Sequence, residues 1–230
     1  MMQQRLRIGG IPAILWGRPS DRVYIHVHGK LSRKEYAEAF ATLAEERGYQ
    51  TLSFDLPRHG EREMEATPCD IWHGVEDLRL IGAYVFPRWR EVSLFACSLG
   101  ACFSLHAWQD QPFRRCLFQS PIVDMDWLIR QMMGWFGVTE ERLRREREIS
   151  TPIDTLSWDY WQYVLEHPVV RWDTPTAILY AGRDNLQSEE VIRGFAETHG
   201  CRLTIAKDSA HPFMGEGDGA IVRRWLAENL

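Results

Sequence analysis

Short apolar runs alternate with stretches of helical spacing along most of the chain, and this alternation constrains the fold more than any other feature. The runs that predict strands are QRLRI (4–8), IPAILWG (11–17), RVYIHVH (22–28), YQTLSFD (49–55), EVSLFAC (91–97), RCLFQSP (115–121), TAILYAG (176–182) and CRLTIAK (201–207). The predicted helices cover residues 71–86, 99–109, 187–199 and 218–229, and another begins at residue 32. Strands that alternate with helices are joined by crossovers into parallel sheets. The sequence therefore predicts an α/β fold, with a mostly parallel central sheet flanked by helices.

A capping-box pattern marks the start of the first predicted helix. In residues 32–35 a serine precedes a glutamate by three positions. In this pattern each side chain accepts a hydrogen bond from a free backbone N–H at the helix start. Tyr36, Phe40 and Leu43 follow at helical spacing and predict the buried face of the helix. Gly48 is expected to end it.

The chain between Ser120 and Thr176 contains no clear strand. It has helical patterns of its own and is rich in tryptophan and methionine. Those side chains either line an apolar pocket or pack the segment onto the core. No repeat, low-complexity tract or linker divides the sequence. We therefore expect one domain over residues 1–230, with a helical insertion at about residues 122–172.

Charge and hydropathy argue against several classes of partner. The formal net charge of −5 gives no reason to expect nucleic acid or an anionic membrane. No apolar stretch approaches the ~20 residues of a membrane span, and the first residues lack the apolar region of a signal peptide. The five cysteines have no regular spacing, which is typical of reduced thiols. The sequence therefore predicts a cytoplasmic protein without a nucleic-acid or membrane partner.

The segment FACSLGA (95–101) places Ser98 at the end of a buried strand and directly before a helix. In α/β sheets, ligands bind at the carboxyl ends of the strands. Small residues two positions away on either side, Ala96 and Gly100, permit a sharp strand-to-helix turn that exposes the serine hydroxyl. At this point two interpretations are open: Ser98 is a nucleophile, or it is an ordinary helix N-cap.

A serine nucleophile needs a histidine within hydrogen-bond distance and a carboxylate that orients the histidine. Where a nucleophilic serine occupies this kind of turn, the order along the chain is serine, acid, histidine. The histidines far enough downstream of Ser98 are His167, His199 and His211. His211 is the candidate base, because it follows the last predicted strand in KDSAHPF. The other two lie beside a proline in the insertion and near a predicted helix end.

The candidate acid is Asp184, which follows a predicted strand in YAGRDN (180–185). Asp124 and Asp126, just past the preceding strand, are the competing candidates. Asp208 is close to His211 in sequence and is less suitable, because such a near neighbour often points the wrong way.

An oxyanion formed on a substrate would need two N–H donors. The N–H of Leu99, at the helix start, is the first candidate. The loop after RVYIHVH is expected to supply the second, from the N–H of Lys30, with Gly29 allowing the backbone to come close. His28 is then expected to hold this loop. The alternative is an ordinary strand-ending turn.

The segments HVHGK, SFDLPRHGER, FACSLGA, LYAGRDNL and DSAHPF resemble the α/β-hydrolase superfamily. Within it, they are most similar to small bacterial esterases of the monoglyceride-lipase and serine-aminopeptidase type. Arg58 stands where glycine is usual in that family, and Ala96 replaces the first glycine of G-x-S-x-G. The resemblance implies an α/β-hydrolase fold, a triad of Ser98, Asp184 and His211, and a cap over the serine formed by the helical insertion. It implies no particular substrate.

We therefore expect a serine hydrolase that cleaves carboxylic esters of small to medium acyl groups through an acyl-enzyme. Its partner would be a small-molecule ester, no metal or organic cofactor is required, and the sequence allows a homodimer. Two alternatives stay open. A peptidase or amidase would use the same triad and an acidic residue, such as Asp124, Asp126 or Glu140, to hold a substrate amine. A non-catalytic ligand-binding protein of the same fold would need no reactive triad.

Overall fold

An eight-stranded sheet forms the centre of the structure, a computed structural model that describes residues 1–230. The strands are β1 (Gln3–Ile8), β2 (Ile11–Trp16), β3 (Arg22–Val27), β4 (Gln50–Phe54), β5 (Glu91–Cys97), β6 (Cys116–Gln119), β7 (Glu148–Ser150), β8 (Thr155–Ser157), β9 (Thr176–Ala181) and β10 (Arg202–Ala206). Their order across the sheet is β1-β2-β4-β3-β5-β6-β9-β10, and β7 pairs with β8 outside it. The six strands β4, β3, β5, β6, β9 and β10 are parallel to one another, whereas β2 is antiparallel to both β1 and β4. The mostly parallel sheet predicted from the sequence is confirmed.

Side chains of β3 alternate between the two faces of this sheet. Val23, Ile25 and Val27 belong to the larger apolar cluster on one face. Tyr24 belongs to a smaller cluster on the other face. All four are fully buried. Such a strand is covered on both sides, which explains why its sequence reads as a nearly continuous apolar run.

Eight α-helices surround the sheet. They are α1 (Glu38–Glu46), α2 (Ile71–Val85), α3 (Leu99–Trp108), α4 (Met125–Trp135), α5 (Glu140–Glu146), α6 (Trp158–Glu166), α7 (Glu189–Thr198) and α8 (Asp218–Asn229). Apolar side chains of α2, α3 and α7 pack in the larger cluster, and those of α1 and α8 pack in the smaller one. Helices therefore cover both faces, as predicted. None of the helices combines the length and apolar character that crossing a bilayer would require.

The first helix does not begin with the predicted capping box. A 3₁₀ turn, Lys34–Ala37, precedes α1, and its N-cap position makes no side-chain hydrogen bond. The N–H of Lys34 donates instead to the carboxylate of Asp55, at 2.9 Å. A 3₁₀ turn has three residues per turn, so side chains before α1 fall out of phase with those within it. Tyr36, predicted on the buried face, is consequently 62% exposed, whereas Phe40 is buried.

The segment between β6 and β9 is mainly helical, as predicted, and contains α4, α5 and α6. The prediction that it contains no strand is wrong, because β7 and β8 form a short antiparallel hairpin. Thr151 and Asp154 close its turn: Thr151 N–H donates to the Asp154 carbonyl at 3.0 Å, and Asp154 N–H donates to Thr151 Oγ1 at 3.1 Å. Strands of three residues are too short to produce a recognisable alternation in the sequence.

Methionine and tryptophan side chains fix this segment to the rest of the protein. Met125, Met132, Met133 and Trp161 are all buried in the larger apolar cluster. All four side chains therefore pack the segment onto the core, and Met125 also lines a cavity between α4, α6 and α7. Trp135, in contrast, is 42% exposed.

His26 provides a test of how burial couples this fold to pH. Its ring lies on the α1 side of β3 and stacks on Phe95, with ring centroids 4.6 Å apart. Its Nδ1 is buried without a hydrogen-bond partner. Burial lowers the pKa of His26 from 6.5 to about 3. The folded state therefore keeps the ring neutral at pH values where the unfolded chain binds a proton, so this residue lowers stability as pH falls below about 6.5.

We expect His26→Phe to leave the free energy of unfolding at pH 7 within about 1 kcal/mol of wild type, because phenylalanine continues the aromatic stack. Between pH 7 and pH 5, wild type should lose about 2 kcal/mol more than the variant, since one titrating group is removed. Urea unfolding at both pH values measures the difference. Equal losses in the two proteins would contradict this account.

Candidate active site

Ser98 occupies a strained turn between β5 and α3. Its φ of 51° and ψ of −120° lie in a region that residues with a side chain rarely adopt. The side chain makes no capping hydrogen bond to α3. Its hydroxyl oxygen lies 2.8 Å from Nε2 of His211 instead. Ser98 thus begins a helix without acting as its side-chain cap.

The small neighbours of Ser98 are required by close backbone packing. A Cβ on Gly100 would lie 2.5 Å from the carbonyl oxygen of His28 and 2.8 Å from that of Val27. Ala96 is fully buried and lies opposite Val27 in the β3–β5 register. The start of α3 therefore rests directly on the end of β3, as the pattern of small residues predicted.

Three predicted site residues meet at the carboxyl end of the sheet. Ser98 follows β5, Asp184 follows β9 and His211 follows β10. His211 Nε2 lies 2.8 Å from Ser98 Oγ, and His211 Nδ1 lies 2.8 Å from Oδ2 of Asp184. The Asp184 side chain is completely buried and that of His211 is 11% exposed. Parallel strands bring these residues together because their carboxyl ends share one edge.

The oxygen of Asp184 that does not face His211 is hydrogen-bonded as well. Its Oδ1 accepts hydrogen bonds from the N–H of Leu186 at 2.8 Å and of Gln187 at 3.4 Å. Both oxygens therefore have partners, and Oδ2 is directed at His211. A carboxylate fixed in this way can only accept a hydrogen bond from Nδ1–H, which leaves the lone pair of Nε2 facing Ser98.

The competing acids have other partners. Asp124 caps α4 through its side chain. Asp126 forms an ion pair with Arg130 on the same helix, at 2.9 Å. Asp208 pairs with Arg183, also at 2.9 Å, and its side chain is 91% exposed. None of these three carboxylates hydrogen-bonds to a histidine.

The two other downstream histidines also lie away from Ser98. Nδ1 of His167 is 2.9 Å from the carbonyl of Tyr163, within α6 and its C-cap. The ring of His199 packs on Phe195, with centroids 4.6 Å apart. Both are C-cap residues in the structure, His167 of α6 and His199 of α7; the sequence places His199 near a helix end and His167 beside a proline.

The loop after β3 lies against Ser98. A Cβ on Gly29 would be 3.1 Å from Cβ of Ser98 and 3.2 Å from the carbonyl oxygen of Cys97. His28 is buried and binds this loop, because its Nδ1 donates to the Gly29 carbonyl at 2.7 Å. Leu99 is the first residue of α3, where an N–H has no partner within the helix. Leu99 and Lys30 remain the predicted donors to an oxyanion.

The sequence did not predict how the loop after β4 supports this site. The buried carboxylate of Asp55 accepts from Lys34 Nζ at 2.6 Å and from Glu61 N–H at 3.0 Å. Burial of Lys34 would lower the pKa of its amine, but the hydrogen bonds that the amine donates to Asp55, Glu61 and Glu35 outweigh burial and raise it. The run DLPRHG carried a signal, since Asp55 directly follows a strand and His59 follows four residues later. The sequence alone does not tell what they bind.

Arg58 in this loop has a φ of 64°. This is the left-handed region that glycine adopts without strain. The arginine therefore takes the backbone conformation expected of the glycine that is usual at this position in the resembling family.

A cavity of about 450 Å³ lies apart from Ser98. It is lined by α4, α6, α7 and the end of α3, including Met125, Val164, Phe195 and His106. None of Ser98, Asp184 and His211 contributes to it. The convergence of reactive side chains, rather than cavity volume, therefore identifies the candidate site.

Solved structures match this chain over nearly its whole length. Est1E from Butyrivibrio proteoclasticus, in a structure with ferulic acid bound, has a TM-score of 0.79 and 16% identity, covering 98% of this chain and 96% of that chain. Mouse alpha/beta hydrolase domain-containing protein 10 has a TM-score of 0.78 and 14% identity, covering 99% and 98%. A monoacylglycerol lipase from Paleococcus ferrophilus has a TM-score of 0.65 and 18% identity, covering 99% of each chain. The chain has the α/β-hydrolase fold.

At these identities the matches establish the fold, and the α/β-hydrolase fold expected from the sequence is confirmed. No protein-family model matches the sequence, and no curated protein sequence matches it. The likeness to known α/β-hydrolase folds is therefore one of three-dimensional structure.

The contact between α3 and β3 in this α/β-hydrolase fold can be tested with two glycine substitutions. Gly100→Ala should lower the free energy of unfolding by about 1–3 kcal/mol, because the new methyl group meets backbone oxygens that cannot turn aside. Gly194→Ala, in α7, places its methyl group where nothing lies within 4 Å. It should raise stability by about 0.5–1 kcal/mol. Chemical denaturation of both variants measures the contrast, and a Gly100→Ala protein as stable as wild type would be inconsistent with this packing.

Proposed function

We propose that the protein is a serine hydrolase that cleaves carboxylic esters of small to medium acyl groups. Ser98 is the nucleophile, His211 the general base and Asp184 the carboxylate that orients the histidine. One observation carries the proposal: a continuous hydrogen-bonded series runs from Ser98 Oγ through His211 to Asp184, with both distances at 2.8 Å. A strained serine with a base and an orienting acid in line is the arrangement used for nucleophilic catalysis.

In the first step, Ser98 Oγ attacks the carbonyl carbon of the ester while His211 Nε2 takes the hydroxyl proton. The electron pair of the carbonyl double bond moves to oxygen and forms an oxyanion. When the tetrahedral intermediate collapses, the bond to the alcohol oxygen breaks. The alcohol leaves with the proton from His211, and the acyl group remains on Ser98.

In the second step, a water molecule attacks the acyl-enzyme and gives its proton to His211. The resulting intermediate collapses, the bond to Ser98 Oγ breaks, and the proton returns from His211 to this oxygen. The carboxylic acid is released. Asp184 stabilises the charged imidazole in both steps through its hydrogen bond to Nδ1.

The oxyanion is stabilised by the N–H groups of Leu99 and Lys30. The amino end of α3 adds a partial positive charge close to Ser98. The close approach of Gly29 to Ser98 supports the assignment of Lys30, the next residue, as the second donor.

We further propose that residues 1–230 form one domain in which residues 122–172 cap the site. The start of this segment touches the nucleophile turn, because Ile122 N–H donates to the Ser98 carbonyl at 3.2 Å. The turn between β7 and β8 reaches the loop after β3, where Lys30 Nζ donates to the Ile153 carbonyl at 3.3 Å and pairs with Asp154. An ester small enough to enter between these elements is the substrate class we favour.

A fluorophosphonate probe tests for an activated serine. Mass spectrometry of the intact wild-type protein should show one adduct that maps to Ser98 after digestion. Ser98→Ala should give none. Ser104→Ala is the matched control, because this serine lies six residues further along the chain, within α3, and its hydroxyl donates to the Gly100 carbonyl. It should be labelled like wild type. A folded wild-type protein without an adduct would refute the proposal and favour a non-catalytic ligand-binding role.

Asp184→Asn tests the orienting carboxylate. The amide nitrogen would donate to Nδ1 and force the proton onto Nε2, so that His211 could not accept from Ser98. The kcat for p-nitrophenyl esters should fall about a thousand- to ten-thousand-fold with little change in KM. Asp208→Asn is the control, because the Asp208 side chain is exposed and pairs with Arg183. This variant should keep wild-type kcat. Matched anilide substrates separate an esterase from an amidase, and faster turnover of the anilides would favour the amidase.

A further inference from the structure

Two loops at the carboxyl end of the sheet exchange hydrogen bonds through histidines. His28, after β3, accepts at Nε2 from the N–H of Leu56, at 3.1 Å. His59, after β4, accepts at Nε2 from the N–H of Leu31, at 3.0 Å. The two rings are 5.2 Å apart and inclined at 59°. Each loop therefore binds the backbone of the other through one histidine ring. We call His28 and His59 together the histidine clasp.

Both rings of the histidine clasp have a defined tautomer. Nδ1 of His28 lies 2.7 Å from the carbonyl oxygen of Gly29, and Nδ1 of His59 lies 2.8 Å from that of Pro57. A carbonyl oxygen only accepts, so Nδ1 carries the hydrogen in each ring. A backbone N–H only donates, so each Nε2 must be unprotonated. Both rings are neutral, and every ring nitrogen has a partner.

The surroundings favour this neutral state. His28 and His59 are both buried. Burial lowers the pKa of His28 to about 4 and also lowers the pKa of His59. The charged groups that act on the two rings are Lys30, Lys34, Asp55 and Arg62. Of these, Asp55 favours the protonated rings, while the nearby cations oppose protonation.

Apart from its hydrogen bond to His59, Leu31 has few interactions that fix its position. Leu31 has a φ of 61°, a strained value for a residue with a side chain. Its side chain is 89% exposed and gains nothing from burial. Lys30 lies between Gly29, whose carbonyl is bound by His28, and Leu31, whose N–H is bound by His59. The backbone of Lys30 is therefore held from both sides by the histidine clasp.

The loop that carries His59 is rigid enough to act as the support. The side chain of Asp55 is fully buried and holds this loop through Lys34 Nζ and Glu61 N–H. Arg62 donates to the Asp55 carbonyl at 3.1 Å and pairs with Asp77. These bonds lie on both sides of His59 in the sequence, so its ring position is set by the loop itself.

We propose that His59 is a positioning residue for the oxyanion: by binding the N–H of Leu31, it holds the N–H of Lys30 in the direction of the substrate oxygen. The inference rests on the proposed esterase function. His59 does not touch the reacting atoms and acts through the loop after β3.

Two substitutions of His59 separate this role from simple loop stability. His59→Leu keeps an apolar volume and removes the acceptor for Leu31. His59→Gln keeps an acceptor oxygen at about the reach of Nε2 and cannot titrate. With a p-nitrophenyl ester, His59→Leu should lose about 10- to 100-fold in kcat with KM within about twofold of wild type, because the donor is misdirected rather than removed. His59→Gln should recover most of the lost kcat.

A matched control is His106→Leu, a histidine about two turns along α3 and outside both loops. It should keep wild-type kcat. Melting temperatures of all three variants show whether any loss of activity comes from unfolding. If His59→Leu keeps wild-type kcat, if its defect appears only in KM, or if His59→Gln is as slow as His59→Leu, the positioning role is overturned.

Hydrogen exchange followed by mass spectrometry tests the histidine clasp independently of turnover. Peptides covering residues 28–33 should exchange faster in His59→Leu than in wild type, while peptides from α7 and α8 should be unchanged. If wild type neither hydrolyses esters nor reacts with the fluorophosphonate probe, the proposed function fails, and the exchange result still decides whether His59 holds the loop. Equal exchange in residues 28–33 of both proteins would overturn the inference even if wild type is an active esterase.

Discussion

The arrangement of the site depends on the contact between the start of α3 and the end of β3. Only a residue without a Cβ fits at Gly100, where the carbonyl oxygens of Val27 and His28 lie directly opposite. This contact forces the chain to turn within one residue, so Ser98 takes a backbone conformation that costs about 1–3 kcal/mol. Burial of α3 against the sheet offsets that cost. The strained serine is thus a consequence of helix-on-sheet packing.

The loops around this turn determine where the other groups of the site lie relative to Ser98. Asp184 and His211 come from neighbouring parallel strands, so their spacing is set by the sheet itself. The loop after β3, in contrast, has an exposed strained residue and needs support from the loop after β4. Buried polar groups provide it: His28 and His59 each have one partner 28 positions away, and Asp55 has one 21 positions away. Such networks fix one arrangement of the backbone, because every alternative leaves a buried group without its partner.

Most of the sheet, and the meeting of Ser98, His211 and Asp184 at its edge, could be predicted because both depend on local patterns. The apolar run of β5, the small residues around Ser98 and the strand ends before Asp184 and His211 are all visible within a few residues. The start of α1 was predicted wrongly, because Asp55, 21 positions away from Lys34, binds the N–H of Lys34 and a 3₁₀ turn begins there. The β7–β8 hairpin was too short to show a pattern. The histidine clasp could not be predicted, since a backbone N–H from another loop leaves no trace in the sequence.

The loop after β3 is restrained in two ways that respond differently to the solvent. On one side it is held by buried, neutral hydrogen bonds. On the other, Lys30 pairs with Asp154 at the tip of the hairpin, and the two side chains are 40% and 57% exposed. An exposed ion pair contributes at most about 1 kcal/mol and is screened by dissolved ions. Raising the ionic strength therefore weakens the contact between the hairpin and this loop and leaves the buried hydrogen bonds intact. This ion pair is the part of the loop's support that responds to dissolved salt.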